Sequence, residues 1–128
     1  MLLVDDEPAV AAAHARLLRR SGFRVEVCTE SVRALERLTA GERFDVVICD
    51  GRMPELRGVE LFQRARLAWP ELEERILFLS GGMSDEDARF IREHALPFLA
   101  KPLRRVDDLA DAIRELVARR RAHVGGVP

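Results

Sequence analysis

Asp5 and Asp6 follow a short apolar run, Asp50 follows a longer one, Ser80 ends a third and Lys101 a fourth. Brought together, these five side chains could handle phosphate. Three carboxylates crowded in one pocket repel one another and raise their own pKa values. One lysine cannot balance three acids, so a divalent cation is the natural complement. An all-oxygen set with one or two direct carboxylates and several waters suits Mg²⁺, and its open positions would accept phosphoryl oxygens. A serine hydroxyl and an ammonium are further donors to such a group. The chemistry implied is phosphoryl transfer to a carboxylate, driven by positioning and charge stabilisation. Of 21 basic residues only Lys101 is lysine and the rest are arginine. A lone lysine in that background suits a place that needs a compact ammonium rather than a planar guanidinium.

Each element is ordinary by itself. An Asp-Asp pair usually marks a strand-ending turn, Ser80-Gly81-Gly82 is a generic loop, and Lys101-Pro102 is common surface chemistry. Their conjunction at the ends of successive strands is the specific signal. That conjunction requires a parallel sheet, and the sequence supplies one by alternating strand and helix patterns five times. Strands are expected at Leu2 to Val4, Val25 to Cys28, Phe44 to Cys49, Ile76 to Leu79 and Phe98 to Ala100. The first helix is expected from Pro8 to about Arg20, with Val10, Ala13, Leu17 and Leu18 inward. The second runs from Ser31 to Ala40 and is closed by Gly41. A third carries Val59, Phe62 and Ala65 inward. The fourth starts at Ser84, whose spacing to Asp87 is that of a capping box. The fifth turns Val106, Leu109, Ile113 and Leu116 to the core, with Asp107 and Asp108 in its first turn. Five such units are too few for an eight-stranded barrel, so a flavodoxin-like doubly wound α/β sheet of order 2-1-3-4-5 is expected. Pro97 fits an edge position for the last strand. Ligands of such sheets bind beyond the carboxyl ends of the strands at the switch point, here between the first and third.

The chain has 128 residues, one domain's worth, with 48% hydrophobic residues and a net charge of −1. Residues 1–121 are expected to form the domain and 122–128 a linker or disordered tail. No global field recruits nucleic acid or an anionic membrane. No apolar stretch is long enough for a signal peptide or membrane span, so a cytoplasmic protein is expected. Cys28 and Cys49 read as buried thiols in a reducing compartment. His14, His94 and His123 read as surface residues.

The sequence resembles the receiver domains of two-component response regulators and hybrid histidine kinases, from Leu2 to about Arg119. Leu3-Val4-Asp5-Asp6-Glu7 is similar to the family's acid-pair strand, and Val46 to Pro54 to its phosphoacceptor strand and Met-Pro turn. Phe78 to Gly82 resembles its Thr/Ser strand, and Leu99-Ala100-Lys101-Pro102 its Lys-Pro turn. The resemblance implies that Asp50 is the phosphoacceptor. Asp6 and Asp50, with the backbone carbonyl of Arg52, would bind Mg²⁺ directly, and Asp5 through a metal-bound water. Ser80 and Lys101 would hold phosphoryl oxygens, and Phe98 matches the aromatic switch position. The donor would be a sensor histidine kinase, in cis or in trans, and a weak homodimer stays open. The domain would catalyse its own phosphorylation and dephosphorylation without being a conventional enzyme. Its output surface would be the fourth helix, fifth strand and fifth helix. Two departures stand out: Arg57-Gly58 where the family often has Asp-Gly, and His94-Ala95-Leu96-Pro97 where it often has Gly-Ala. The arginine- and alanine-rich style and the Ser-Gly-Gly loop resemble receivers attached to sensor kinases.

Other readings fit less well. A metal-dependent aspartyl phosphatase would carry Asp-x-Asp after its first strand, where this chain has Asp5-Asp6. A nucleotide-binding domain would need a glycine-rich loop there. A phosphorylation-independent interaction module with a receiver-like fold would not need all five site residues.

Overall fold

A computed structural model describes residues 1–125, with side-chain environments through residue 121. The strands are β1 (Leu2–Val4), β2 (Glu26–Cys28), β3 (Val47–Cys49), β4 (Ile76–Ser80) and β5 (Phe98–Ala100). The helices between and after them are α1 (Pro8–Arg20), α2 (Ser31–Thr39), α3 (Gly58–Ala68), α4 (Asp85–Glu93) and α5 (Asp108–Gly125). All strand pairs are parallel and the order is β2-β1-β3-β4-β5, as the sequence implies. α5 reaches four residues into the stretch read as tail, and residues 126–128 lie outside the described residues.

The continuous apolar strands are buried on both faces, and their period of two feeds two cores. Leu2, Val4, Val47, Cys49, Ile76 and Phe78 point to the side of α2, α3 and α4. Leu3, Ile48, Leu77 and Leu79 point to the side of α1 and α5. Phe62 is the largest α3 side chain in the first core and meets Phe78 edge-on, with ring centres 6.2 Å apart. Truncating a phenylalanine buried in this way typically costs about 3–5 kcal/mol. Gly41, at φ 109°, ends α2 in a left-handed conformation. Ser84 Oγ accepts the Asp87 N–H at 3.1 Å, so the expected cap starts α4.

Several local expectations are corrected. α1 buries Ala11, Ala15 and Leu18, not the face through Val10 and Ala13. Two alanines a turn apart let the helix lie close on the sheet, which a valine on that line would prevent. α5 begins at Asp108, and Val106 is 69% exposed in the loop before it. The Asp108 carboxylate accepts the Arg105 N–H at 2.9 Å, closing that loop ahead of the helix and leaving Val106 outside the helical stripe. A short 3₁₀ turn, Pro70–Glu74, follows α3 and seats Leu72 and the neighbouring Trp69 in the core.

Gly58 opens α3 hard against the end of β3. Its N–H donates to Gly51 O at 3.2 Å, and a Cβ there would collide with the backbone carbonyl of Asp50. Gly58→Ala must therefore push the β3–α3 loop away from the sheet, at about 1–3 kcal/mol. Urea unfolding of the variant should show a lower midpoint at unchanged slope, and an unshifted midpoint would contradict this packing.

Candidate functional site

The sheet ladder runs on past the strand ends and fixes the residues that follow. Asp5 N–H donates to Cys28 O at 3.1 Å, Asp50 N–H to Val4 O at 2.9 Å, and Lys101 N–H to Ser80 O at 2.9 Å. Three backbones are thus held in register before any side chain interacts. Asp5 and Asp50 are buried, Ser80 is the buried last residue of β4, and Asp6 and Lys101 are half-buried. One carboxylate oxygen from each of Asp5, Asp6 and Asp50 lies within 4.8 Å of the others.

Lys101 Nζ reaches back over the sheet to Asp5 Oδ2 at 2.8 Å and Asp50 Oδ2 at 3.5 Å. Burial disfavours its charge, but the hydrogen bond and charge of Asp5, aided by Asp50, outweigh this and raise its pKa. Burial also raises the Asp50 pKa above the ordinary carboxylate range, opposed by the Arg52 N–H on Oδ1 at 3.2 Å and by Lys101. Asp5 Oδ1 accepts the Glu7 N–H at 3.0 Å. Asp6 differs: its Oδ1 is buried and has no hydrogen-bond partner. An orphaned carboxylate oxygen beside two more carboxylates is a donor set for a hard cation, and it fits Mg²⁺.

Ser80 Oγ accepts the Gly82 N–H at 3.3 Å, which leaves its own O–H free to donate. Arg52 is exposed, and its Nη1 lies 3.4 Å from where a Cβ on Gly82 would sit, so its guanidinium crosses that loop. Asp6, Asp50, Arg52, Arg57, Gly82 and Lys101 line one open cleft. Phe98 stands apart from it, 43% exposed on the edge strand opposite Phe78. Asp5, Asp6, Asp50 and Lys101 therefore converge, Ser80 is the backbone partner of Lys101 beside them, and Arg52 borders the same cleft.

His14 is not a simple surface residue. It is half-buried on α1, its Nδ1 has no partner, and burial followed by the Lys101 charge lowers its pKa. His94 stacks on Phe90 at 3.9 Å between ring centres and bonds Phe90 O through Nδ1. His123 lies outside the residues whose side chains are described. Both cysteines are free and buried, and burial pushes the Cys49 thiol far above its usual range. They flank Val4 on opposite sides, so two strand spacings of about 4.8 Å keep them beyond disulfide reach. Sequence reasoning missed an ion pair from Arg57 Nε to Asp87 Oδ2 at 2.9 Å. The departure from Asp-Gly at Arg57 was its only signal. Among the described residues, no helix is long and apolar enough to cross a membrane.

Comparison with known proteins agrees with this geometry. The chain is 34% identical over 119 residues to the sensor kinase CckA of Brucella abortus, covering 91% of this chain and 12% of that one. It spans between 12% and 49% of the curated relatives it matches. A crystal structure of a response regulator receiver domain protein from Methanospirillum hungatei superposes with a TM-score of 0.83 at 24% identity, over 95% of each chain. The receiver domain from a hybrid histidine kinase CckA gives 0.71 at 29% identity, over 91% of this chain and 96% of that one. The response regulator receiver domain model matches residues 1–114, and the chain belongs to that family, the receiver domains of two-component signalling.

Proposed function

We propose that Asp50 accepts a phosphoryl group from the phosphohistidine of a sensor histidine kinase, attached to this domain or separate from it, in the cytoplasm. The observation that carries this is the three-acid cluster, with Lys101 bonded to two of its members and one unpartnered oxygen on Asp6. Asp6, Asp50 and the backbone carbonyl of Arg52 would hold Mg²⁺, with Asp5 reaching it through water. Bound there, Mg²⁺ would offset the charge of the acids and of the incoming group.

The remaining steps belong to the protein. A carboxylate oxygen of Asp50 forms the new bond to phosphorus as the P–N bond of the donor breaks. The electron pair leaves with the donor imidazole. Asp50 is buried at the end of β3 with its backbone fixed by the ladder, which holds that carboxylate in place for the incoming group. Lys101 Nζ, already beside both acids, meets the phosphoryl oxygens as a point charge. The Ser80 hydroxyl donates to another of them. The phosphoryl group brings about −1.5 to −2 charges and three acceptor oxygens. Drawing Ser80 toward it vacates space beside β5, into which the exposed Phe98 ring can turn without burying a polar atom. The surface of α4, β5 and α5 would then differ between the two states, and a partner could read that difference.

Acetyl phosphate with Mg²⁺ should add one phosphoryl group, seen by intact mass, and Asp50→Asn should abolish it. An Asn variant phosphorylated at an undiminished rate contradicts the assignment. Failure of the wild-type protein to gain mass would favour the phosphorylation-independent module.

Arg52 should shield the bound group from water on the Gly82 side, since its guanidinium already crosses that loop. Arg52→Ala is expected to speed hydrolysis several-fold and to leave Mg²⁺ affinity little changed, because only its backbone would touch the metal. Hydrolysis at the wild-type rate would overturn this role.

A further inference from the structure

Three carboxylates are buried among the described residues. Asp5 and Asp50 belong to the cluster already described. The third is Asp87, in the first turn of α4 and only 3% exposed. Its Oδ2 receives Arg57 Nε at 2.9 Å and its Oδ1 receives Arg57 Nη2 at 3.5 Å, across 30 residues of sequence. Arg57 is anchored close to Asp50. The next residue, Gly58, donates its N–H to Gly51 O and packs on the Asp50 carbonyl. The Arg57 side chain is about half exposed and lines the same cleft as Asp50 and Lys101. One side chain thus joins the phosphoacceptor loop to the helix beside it.

We propose that Arg57 is a positioning residue that couples the phosphoacceptor site to α4: it clasps Asp87 in the unmodified protein and turns toward the phosphoryl group once Asp50 carries one. The second half rests on the function proposed above. The physical basis is competition for one cation. Arg57 also holds Glu60 through Nη1 at 2.8 Å, so its head lies among acids and responds to a new one nearby. A phosphoryl group forms stronger charge-assisted hydrogen bonds with a guanidinium than a carboxylate does in proportion to its extra charge. Losing Arg57 leaves the buried Asp87 side chain without its cationic partner, which is unfavourable, so it is driven toward water. Asp87 sits in the first helical turn, where its own N–H bonds Ser84 Oγ, and its exit moves that turn. The helix N-terminus favours an acid in that first turn in either position.

Amide hydrogen exchange of wild type, Arg57→Gln, Asp87→Asn and the double variant tests this, with intact mass reporting phosphorylation of each sample. In the unmodified proteins, amides of Asp85 to Ile91 should exchange about fivefold or more faster in either single variant, as local opening becomes easier. The double variant should be no faster than the singles, since the two residues act as one clasp. Acetyl phosphate with Mg²⁺ should speed α4 exchange in wild type and add little in Arg57→Gln at matched phosphorylation. Unchanged α4 exchange in unmodified Arg57→Gln, or effects that add in the double variant, would overturn the clasp. An equal phosphorylation response with and without Arg57 would overturn the release. If no protein gains phosphoryl mass, the proposed function and the release fall together, while the clasp is still decided by the unmodified proteins.

Discussion

The contact on which this domain turns is the Lys101 ammonium between Asp5 and Asp50. It reaches from the end of the edge strand β5 back to the end of β1, 96 residues earlier, and so crosses the switch point of the sheet. It is the one cation hydrogen-bonded to this acid cluster among the described residues, with three carboxylates gathered around it. Buried ion pairs gain little stability over apolar packing, because both charges must be stripped of water. This arrangement is better explained by what it can bind than by what it stabilises. The acids are held where a cation and a phosphoryl group would complete them.

The sheet makes that arrangement durable. Ladder hydrogen bonds continue one residue past β1, β3 and β5, fixing the backbones of Asp5, Asp50 and Lys101. Two apolar cores on opposite faces hold the strands that carry these bonds. Repulsion among the carboxylates therefore acts on side chains whose anchors cannot move apart. Around this centre lie the Gly81–Gly82 loop, Arg52 across it, and α4, tied to the site through Arg57 and Asp87.

Much of this was legible in the sequence because it is written locally. Apolar runs of strand length, each ended by an acid, a serine or a lysine, specify both the sheet and the residues at its carboxyl edge. The Ser84 cap and the Gly41 stop depend on neighbours a few residues away and could be read in the same way. What was missed depends on tertiary packing. The inward face of α1 is set by how closely Ala11 and Ala15 let the helix approach the sheet, a distance the periodicity of the helix does not contain. Val106 fits a helical stripe by spacing, yet the Asp108 bond to Arg105 starts α5 after it. His14 is half-buried because α1 packs beside the site. The Arg57–Asp87 pair joins residues 30 apart, each with an ordinary local explanation.

Asp50 is buried within 4.8 Å of two other carboxylates, a crowding whose cost a bound cation would relieve. Its folded pKa is raised, chiefly by burial, so the fold prefers the protonated carboxyl. That preference is fully available below the unfolded carboxylate pKa and is lost as pH rises through the raised value, so at neutral pH Asp50 weakens the metal-free protein. The most direct test is thermal unfolding of wild type and Asp50→Asn at neutral pH, in a chelator and then in Mg²⁺. The Asn variant should melt higher than wild type in chelator. Mg²⁺ should raise the wild-type melting temperature and close most of that gap. An Asn variant no more stable than wild type in chelator, with Mg²⁺ shifting both proteins equally, would contradict it.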